Sequence, residues 1–131
     1  MKFRYKKFGE FPRPVIPIKI IYKDRSIRYE VLVDSGADIC IFDADIGVIL
    51  GVDVPSGTPN SVGGIAGQTV RYYTHEVTIE IGGWSYPITA GFLPGVAGSF
   101  NYGVVGQKGF FDNFVVKFDL LKEEIELKSR V

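Results

Sequence analysis

The sequence predicts an all-β domain, built as a sandwich or as a barrel. Three observations favour this class. Glycine and proline, at 16 and 7 residues, punctuate the chain, short runs of β-branched and aromatic residues lie between them, and one long segment alternates apolar and polar side chains. Short apolar runs separated by turn residues are typical of strands in a sheet that packs on another sheet or closes on itself.

The predicted strands follow one another as hairpins. Residues 15–22 and 27–33 are two apolar runs, and the polar residues between them suit a tight turn. The alternating segment covers residues 68–81, after which Gly82 and Gly83 turn the chain into a strand over residues 84–92. The last two predicted strands cover residues 115–118 and 125–127.

Helical structure is predicted only in short pieces. Residues 43–50 suit a short helix with Asp43 or Asp45 at its N-cap, and residues 109–114 suit a helical turn. The first ten residues are rich in lysine and arginine, and we expect them to form a solvated N-terminal arm. A length of 131 residues fits one domain, covering the whole chain.

The charge balance and the cysteine count narrow the class of partner. Lys plus Arg and Asp plus Glu number 15 each, so neither nucleic acid nor an anionic membrane is expected as the main partner. Cys40 is the only cysteine, which excludes an internal disulfide and fits a reducing compartment. No signal-peptide pattern opens the sequence and no apolar run is long enough to span a bilayer. We therefore expect a soluble, cytoplasmic protein.

The segment with the clearest chemistry is the Asp-Ser-Gly-Ala-Asp run at residues 34–38, which follows the apolar residues Val31 to Val33. A carboxylate at the end of a buried strand is costly unless hydrogen-bond donors surround it. Gly36 lets backbone N–H groups approach the Asp34 carboxylate, and the Ser35 hydroxyl is a candidate donor to its outer side. Such an arrangement predicts a catalytic carboxylate rather than an ordinary turn.

This segment resembles the signature of the retropepsin-like aspartic proteases, an apolar strand followed by Asp-Thr/Ser-Gly-Ala. Two further features add to the resemblance: Val104-Val105-Gly106, followed by a short helix expected over residues 107–114, and the glycine-rich residues 62–67 between the two motifs. The resemblance is to the small, single-lobe prokaryotic type. It implies a closed, barrel-like acid-protease lobe with one or two short helices and a flap hairpin.

The resemblance also implies roles for individual residues. The catalytic turn is Asp34, Ser35 and Gly36. The expected substrate-binding residues continue that turn, form the flap and close the later motif: Ala37, Asp38, Gly63, Gly64, Ile65, Ala66, Gly67 and Val105. The family needs no metal and no cofactor, and its members bind extended peptides or unfolded proteins.

A single chain carries one Asp-Ser-Gly motif, so the resemblance implies a homodimer in which two Asp34 carboxylates meet. Carboxylates about 3 Å apart repel by about 5 kcal/mol at an effective dielectric of about 20, so the pair keeps one proton over a wide pH range. The ionised member acts as general base on a water molecule, and the protonated member polarises the scissile carbonyl. The chain termini, residues 2–8 and 125–131, are the expected dimer contacts.

One departure from the family pattern leaves an alternative open. Gln107 stands where the family often has an Arg that pairs with the second Asp of the motif, here Asp38. A non-catalytic dimerisation or peptide-binding module with the same fold is therefore a second hypothesis, and an unrelated β-barrel binding protein is a third. For His75 and Cys40 we expect structural positions, and the aspartates at 34, 38, 43 and 45 lack the spacing of a calcium loop.

Overall fold

The computed structural model describes residues 1–63, 67–94 and 102–130. Within these residues the chain forms twelve strands, one α-helix and one 3-10 turn. The helix α1 is Ala44–Ile49 and the 3-10 turn is Val54–Ser56. The strands are β1 Lys2–Arg4, β2 Lys6–Phe8, β3 Phe11–Arg13, β4 Val15–Tyr22, β5 Arg25–Val33, β6 Cys40–Asp43, β7 Thr58–Gly63, β8 Thr69–Ile81, β9 Trp84–Leu93, β10 Gly103–Val105, β11 Phe114–Asp119 and β12 Glu124–Ser129.

Six of the strands close into a barrel. Their order is β4-β5-β10-β6-β9-β8, and β8 returns to pair with β4, which brings Ile20 opposite Ile79. β7 lies outside the ring and, among the described strands, pairs with β8 alone. Closure removes the free edges of the six strands, which would otherwise invite pairing with other chains. The predicted all-β, closed architecture is confirmed.

Two parallel pairings run through the barrel and decide where the functional residues lie. β10 runs parallel to β5 and antiparallel to β6, and β6 runs parallel to β9. Parallel neighbours need a long connection between them. Residues more than 70 positions apart in sequence, such as Val33 and Val105, therefore lie side by side in the sheet.

The core fills the barrel with large apolar side chains. Phe42 and Phe92 are fully buried and meet edge to face with ring centroids 5.9 Å apart, and Tyr29 packs on Phe42 in the same way at 5.8 Å. Edge-to-face contacts of this kind add to the free energy gained from burial. Cys40 is fully buried beside them, and desolvation raises the pKa of its thiol to about 11. It is therefore placed as an inert core residue.

Most predicted element bounds agree with the structure within a few residues. Asp43 is the N-cap of α1, and its side chain accepts a hydrogen bond from the Asp45 N–H at 2.9 Å. The helix expected over residues 107–114 is absent, because these residues form a series of hydrogen-bonded turns. Gly109 has a φ of +101°, which no α-helix contains, and its N–H donates to the Asp112 side chain instead of a helical carbonyl.

The N-terminal residues are ordered against the domain rather than forming a solvated arm. β1 pairs with β12, and the Met1 ammonium donates to the Leu127 carbonyl at 2.9 Å. β2 and β3 form a separate hairpin, which the Lys6–Glu30 ion pair at 2.6 Å ties to β5. The basic residues suggested a solvated arm, but the prediction was wrong because Met1 and Phe3, which alternate with the charged residues, pack against the core.

In the part of the chain that the structure describes, no helix combines the length and the apolar character that crossing a bilayer requires.

Tyr86 provides a stability prediction. Its hydroxyl is buried with no hydrogen-bond partner among the described residues. An unsatisfied buried hydroxyl costs about 1 kcal/mol, so Tyr86→Phe is expected to raise the free energy of unfolding by about that amount. Urea unfolding near pH 7 measures this, and Tyr22→Phe, whose half-buried ring lies under the Lys23 ammonium, is the matched control.

The same variant has an expected pH dependence. Desolvation, with the charges of Cys40 and Asp112 as smaller causes, raises the pKa of Tyr86 above its ordinary value. A raised folded-state pKa contributes stability below about pH 10, the unfolded value, and that stability is lost as the pH rises. The advantage of Tyr86→Phe should therefore widen above about pH 10. A constant difference between the two proteins from pH 7 to 11 would contradict the burial of this hydroxyl.

Candidate active site

The candidate catalytic turn begins where β5 ends. β5 runs to Val33 and Asp34 is the next residue. Because Val33 lies opposite Val105 in the parallel pair, the Asp34 N–H reaches the Val105 carbonyl, to which it donates at 3.0 Å. Asp34 therefore leaves the sheet at a point that the neighbouring strand determines.

The Asp34 carboxylate is held from one side. The Gly36 N–H donates to Oδ1 at 2.9 Å, and the Ala37 N–H donates to the Asp34 carbonyl at 3.2 Å, which closes a tight turn. A Cβ built at Gly36 would lie 3.3 Å from Oδ1 and would crowd that oxygen. Asp34 is half-buried, and its Oδ2 has no hydrogen-bond partner among the described residues. One oxygen is thus positioned and the other is available to a ligand.

Ser35 does not make the contact expected of it. Its side chain is exposed, and in residues 1–63, 67–94 and 102–130 its hydroxyl has no hydrogen bond to Asp34. Its carbonyl oxygen instead accepts a hydrogen bond from the side-chain amide of Gln107, 72 residues further along the chain. In the sequence analysis Gln107 was noted only as a departure from a family pattern, and no local sequence pattern predicted its contact with Ser35.

The segment after β10 clamps the outer part of the turn. The Gln107 N–H donates to the Ala37 carbonyl at 2.8 Å, and the Lys108 N–H donates to the Asp38 carbonyl at 3.0 Å. Gly106 makes this approach sterically feasible, because a Cβ there would lie 2.5 Å from the Ala37 oxygen. The turn and the later Val-Val-Gly motif therefore form one hydrogen-bonded unit.

Val105 was expected to bind substrate, and its position argues against that role. Its side chain is fully buried in the core, so a peptide outside the barrel does not reach it. Its contribution is the carbonyl that accepts from the Asp34 N–H. The residue supports the turn from beneath.

The expected flap region is a hairpin in the part that the structure describes. β7 and β8 pair antiparallel from Thr58 opposite Thr74 to Gly63 opposite Thr69. Gly67 has a φ of +75°, a backbone conformation that favours glycine. The remaining predicted flap residues lie outside the described residues: Gly64, Ile65 and Ala66.

A cavity of about 370 Å³ lies between the catalytic turn and this hairpin. Four of its lining residues were predicted from the sequence: Gly36, Ala37, Asp38 and Gly63. The other four were missed: Ile39, Ile41, Ser61 and Tyr72. The strand pairing could have suggested two of the missed ones, because Ser61 and Tyr72 occupy the same hairpin as Gly63. Ile41 alternates with the buried Cys40 and Phe42 and so faces away from the core.

Among the described residues that line the cavity, Asp38 is the only charged one. Asp38 is exposed, and none of the ion pairs or side-chain hydrogen bonds among the described residues involves the Asp38 carboxylate. Gln107, which stands where the family often has Arg, donates its side-chain amide to the Ser35 carbonyl. Across the described ranges, no group of three or more His, Cys, Asp or Glu side chains is placed to hold a metal ion.

Comparison with known proteins identifies the architecture. No protein-family model and no curated protein matches the sequence. Among solved structures, a retropepsin-like aspartic protease from Rickettsia conorii superposes with a TM-score of 0.70 at 15% identity, covering 97% of this chain and 88% of that one. EIAV protease in complex with the inhibitor HBY-793 superposes with a TM-score of 0.51 at 20% identity, covering 77% and 88%.

The chain has the retropepsin-like aspartic protease fold. Identities of 15–20% show this fold alone, and they leave the roles of the site residues to chemical argument. The parallel placement of β10 against β5 brings the two sequence motifs together.

Two other features of this retropepsin-like lobe lie apart from the Asp34 turn. A second cavity, of about 400 Å³, is lined by residues that include Glu76, Lys108 and Asp112, and none of residues 34–38 is among them. His75 Nε2 lies 2.9 Å from the Val54 carbonyl oxygen, and the ring packs on Phe92. These contacts give His75 a structural role, as its position in a strand predicted.

Proposed function

We propose that the chain is an aspartic endopeptidase that acts as a homodimer, with one Asp34 from each protomer. The observation that carries the proposal is the half-buried Asp34 carboxylate, with Oδ1 held by the Gly36 N–H at 2.9 Å, in a turn whose later residues, Gly36 to Asp38, line a cavity shared with the β7–β8 hairpin. An oriented carboxylate at the edge of a cleft is what general acid–base chemistry requires. The protease fold of the structural neighbours supports the same activity.

The dimer is part of the proposal because one lobe is chemically incomplete. The sequence contains a single Asp-Ser-Gly run, and one carboxylate cannot be both the base and the acid in the same step. Pairing across a two-fold axis supplies the second group from an identical chain. The chain termini, which were expected to form the dimer contacts, pair with each other within the chain, since β12 has β1 on one side and β11 on the other. An exchanged arrangement would require β1 to detach.

The proposed mechanism needs only these two carboxylates and a water molecule. The ionised Asp34 takes a proton from the water as its oxygen bonds to the scissile carbonyl carbon, and the protonated Asp34 of the other protomer donates a hydrogen bond to the carbonyl oxygen. The tetrahedral intermediate then breaks its C–N bond as the amine receives a proton from the pair. The hairpin of β7 and β8 would cover an extended peptide and limit its contact with water.

A mixing experiment tests the shared site. Wild-type protein is assayed with fluorogenic extended peptides at pH of about 4 to 7, with and without a ninefold excess of Asp34→Asn protein. If each site needs two Asp34 side chains, mixed dimers are inactive and activity per wild-type chain falls to about a tenth at full exchange. The matched control is the same excess of Asp24→Asn, which changes an exposed turn residue at the opposite end of β5.

The outcomes separate the candidate functions. Activity that is unaffected by Asp34→Asn protein, although mixed dimers form, would contradict a shared dyad. No cleavage by wild-type protein at any concentration would favour the non-catalytic peptide-binding module. One observation keeps that second function in view: Gln107 occupies the position at which the family often has Arg, and its amide binds the Ser35 carbonyl.

A further inference from the structure

The charge of the cavity beside the catalytic turn is unbalanced. Of the lining residues that the structure describes, Asp38 alone is charged, and no described cation pairs with it. Asp38 is exposed, so water screens its charge in part, but a cation bound in the cavity would still meet an opposite charge that no described residue compensates. The cavity therefore favours a ligand that brings a positive charge to Asp38.

No basic side chain among the described residues pairs with Asp38. The Gln107 amide binds the Ser35 carbonyl, and Lys108, whose N–H donates to the Asp38 carbonyl oxygen, is one of the residues lining the second cavity and forms no ion pair with Asp38. Arg71 lies opposite Ser61 in the hairpin but is not part of the cavity lining, and it forms no ion pair with Asp38. Nothing in the described residues neutralises the Asp38 carboxylate from within the chain.

The larger residues in the rest of the cavity lining are mostly apolar. Ile39 and Ile41 line it beside the catalytic turn, and Tyr72 lines it from the hairpin together with the polar Ser61. Tyr72 and Ile41 meet over Gly91, where a Cβ would lie 2.8 Å from the Tyr72 ring and 2.9 Å from the end of Ile41. An apolar wall that leads to one carboxylate matches a side chain with a long aliphatic stem and a cationic head.

We propose that Asp38 is a specificity-determining residue, and that this cavity is a subsite for a lysine or arginine side chain of the bound peptide. The inference rests on the proposed function for the presence of a peptide. It goes beyond that function in naming the substrate class, which is extended peptides with a basic residue at one defined position. The stem would lie against Ile41 and Tyr72, and the head would form a charge-assisted hydrogen bond with Asp38.

Binding to a catalytically inert protein tests the subsite separately from cleavage. The protein is Asp34→Asn, and the probes are fluorescent extended peptides in which each position in turn is lysine, norleucine or glutamate. At one position lysine should bind about tenfold more tightly than norleucine, as a charge-assisted contact predicts, and glutamate should bind more weakly than either. In the double variant that carries both Asp34→Asn and Asp38→Asn, lysine and norleucine peptides should bind about equally well, a ratio of about 1. The control double variant, with Asp34→Asn and Asp24→Asn, should retain the lysine preference.

Each result has one meaning. A lysine preference at no position, or one that survives Asp38→Asn, overturns the subsite, and so does an absence of binding by any peptide. Cleavage by wild-type protein without a basic preference leaves the proteolytic function intact and removes only the subsite. A preference that depends on Asp38 in a protein that cleaves nothing keeps the subsite and removes the proteolytic function.

Discussion

Replacing Asp34 by Asn should reduce peptide cleavage by about 10³-fold or more, because general acid–base catalysis by a positioned carboxylate contributes on that scale. Asn cannot take a proton from water, and a dimer of the variant has neither the base nor the acid. The fold should survive, since the Asn side-chain oxygen can accept the Gly36 N–H bond that Asp34 Oδ1 accepts at 2.9 Å. Initial rates at matched protein concentration measure the loss.

The controls for this variant address folding and association. The free energy of unfolding of Asp34→Asn should stay within about 1 kcal/mol of wild type, because the residue is half-buried and keeps its hydrogen bond. Its dimer should still form, since two facing amides carry no like charges that repel. Asp24→Asn should cleave at the wild-type rate. Cleavage by Asp34→Asn at the wild-type rate would contradict the aspartic protease mechanism and indicate a contaminating protease.

Replacing Gly106 by Ala should destabilise the domain by about 3 kcal/mol, at the upper end of the usual cost of overpacking. The added Cβ would lie 2.5 Å from the Ala37 oxygen and 2.6 Å from the Ile39 oxygen. Both atoms belong to the backbone, so no side chain can rotate away. The clamp from Gln107 and Lys108 to the catalytic turn would have to open, and any activity should fall by about 100-fold, as expected when a catalytic group shifts by about 1 Å.

Urea unfolding of Gly106→Ala measures the stability change, and Gly63→Ala is the matched control for it. A Cβ built at Gly63 meets no atom within 4 Å, and the residue does not need a left-handed backbone, so its unfolding free energy should change by less than about 1 kcal/mol. Equal stability of Gly106→Ala and wild type would contradict the close approach of the two motifs.

Much of the local structure was predictable because it depends on neighbouring residues. β4 has the predicted bounds, β8 begins within one residue of its prediction, and Asp43 caps α1 as expected. These features follow from side-chain alternation, turn residues and capping, which act over a few positions. The helix expected over residues 107–114 failed because the Asp112 side chain competes for the Gly109 N–H and Gly109 adopts a positive φ.

The sequence by itself determined the all-β class, the strand that delivers Asp34 and the tight turn through Gly36, because each rests on contiguous residues. Only the tertiary structure decided which distant groups meet there. The parallel register of β5 and β10 brings Gln107 to the Ser35 carbonyl, and the β7–β8 hairpin brings Tyr72 to the cavity that Asp38 lines. Contacts across about 70 residues depend on barrel closure and strand register, which the packing of the whole core selects and no local pattern encodes.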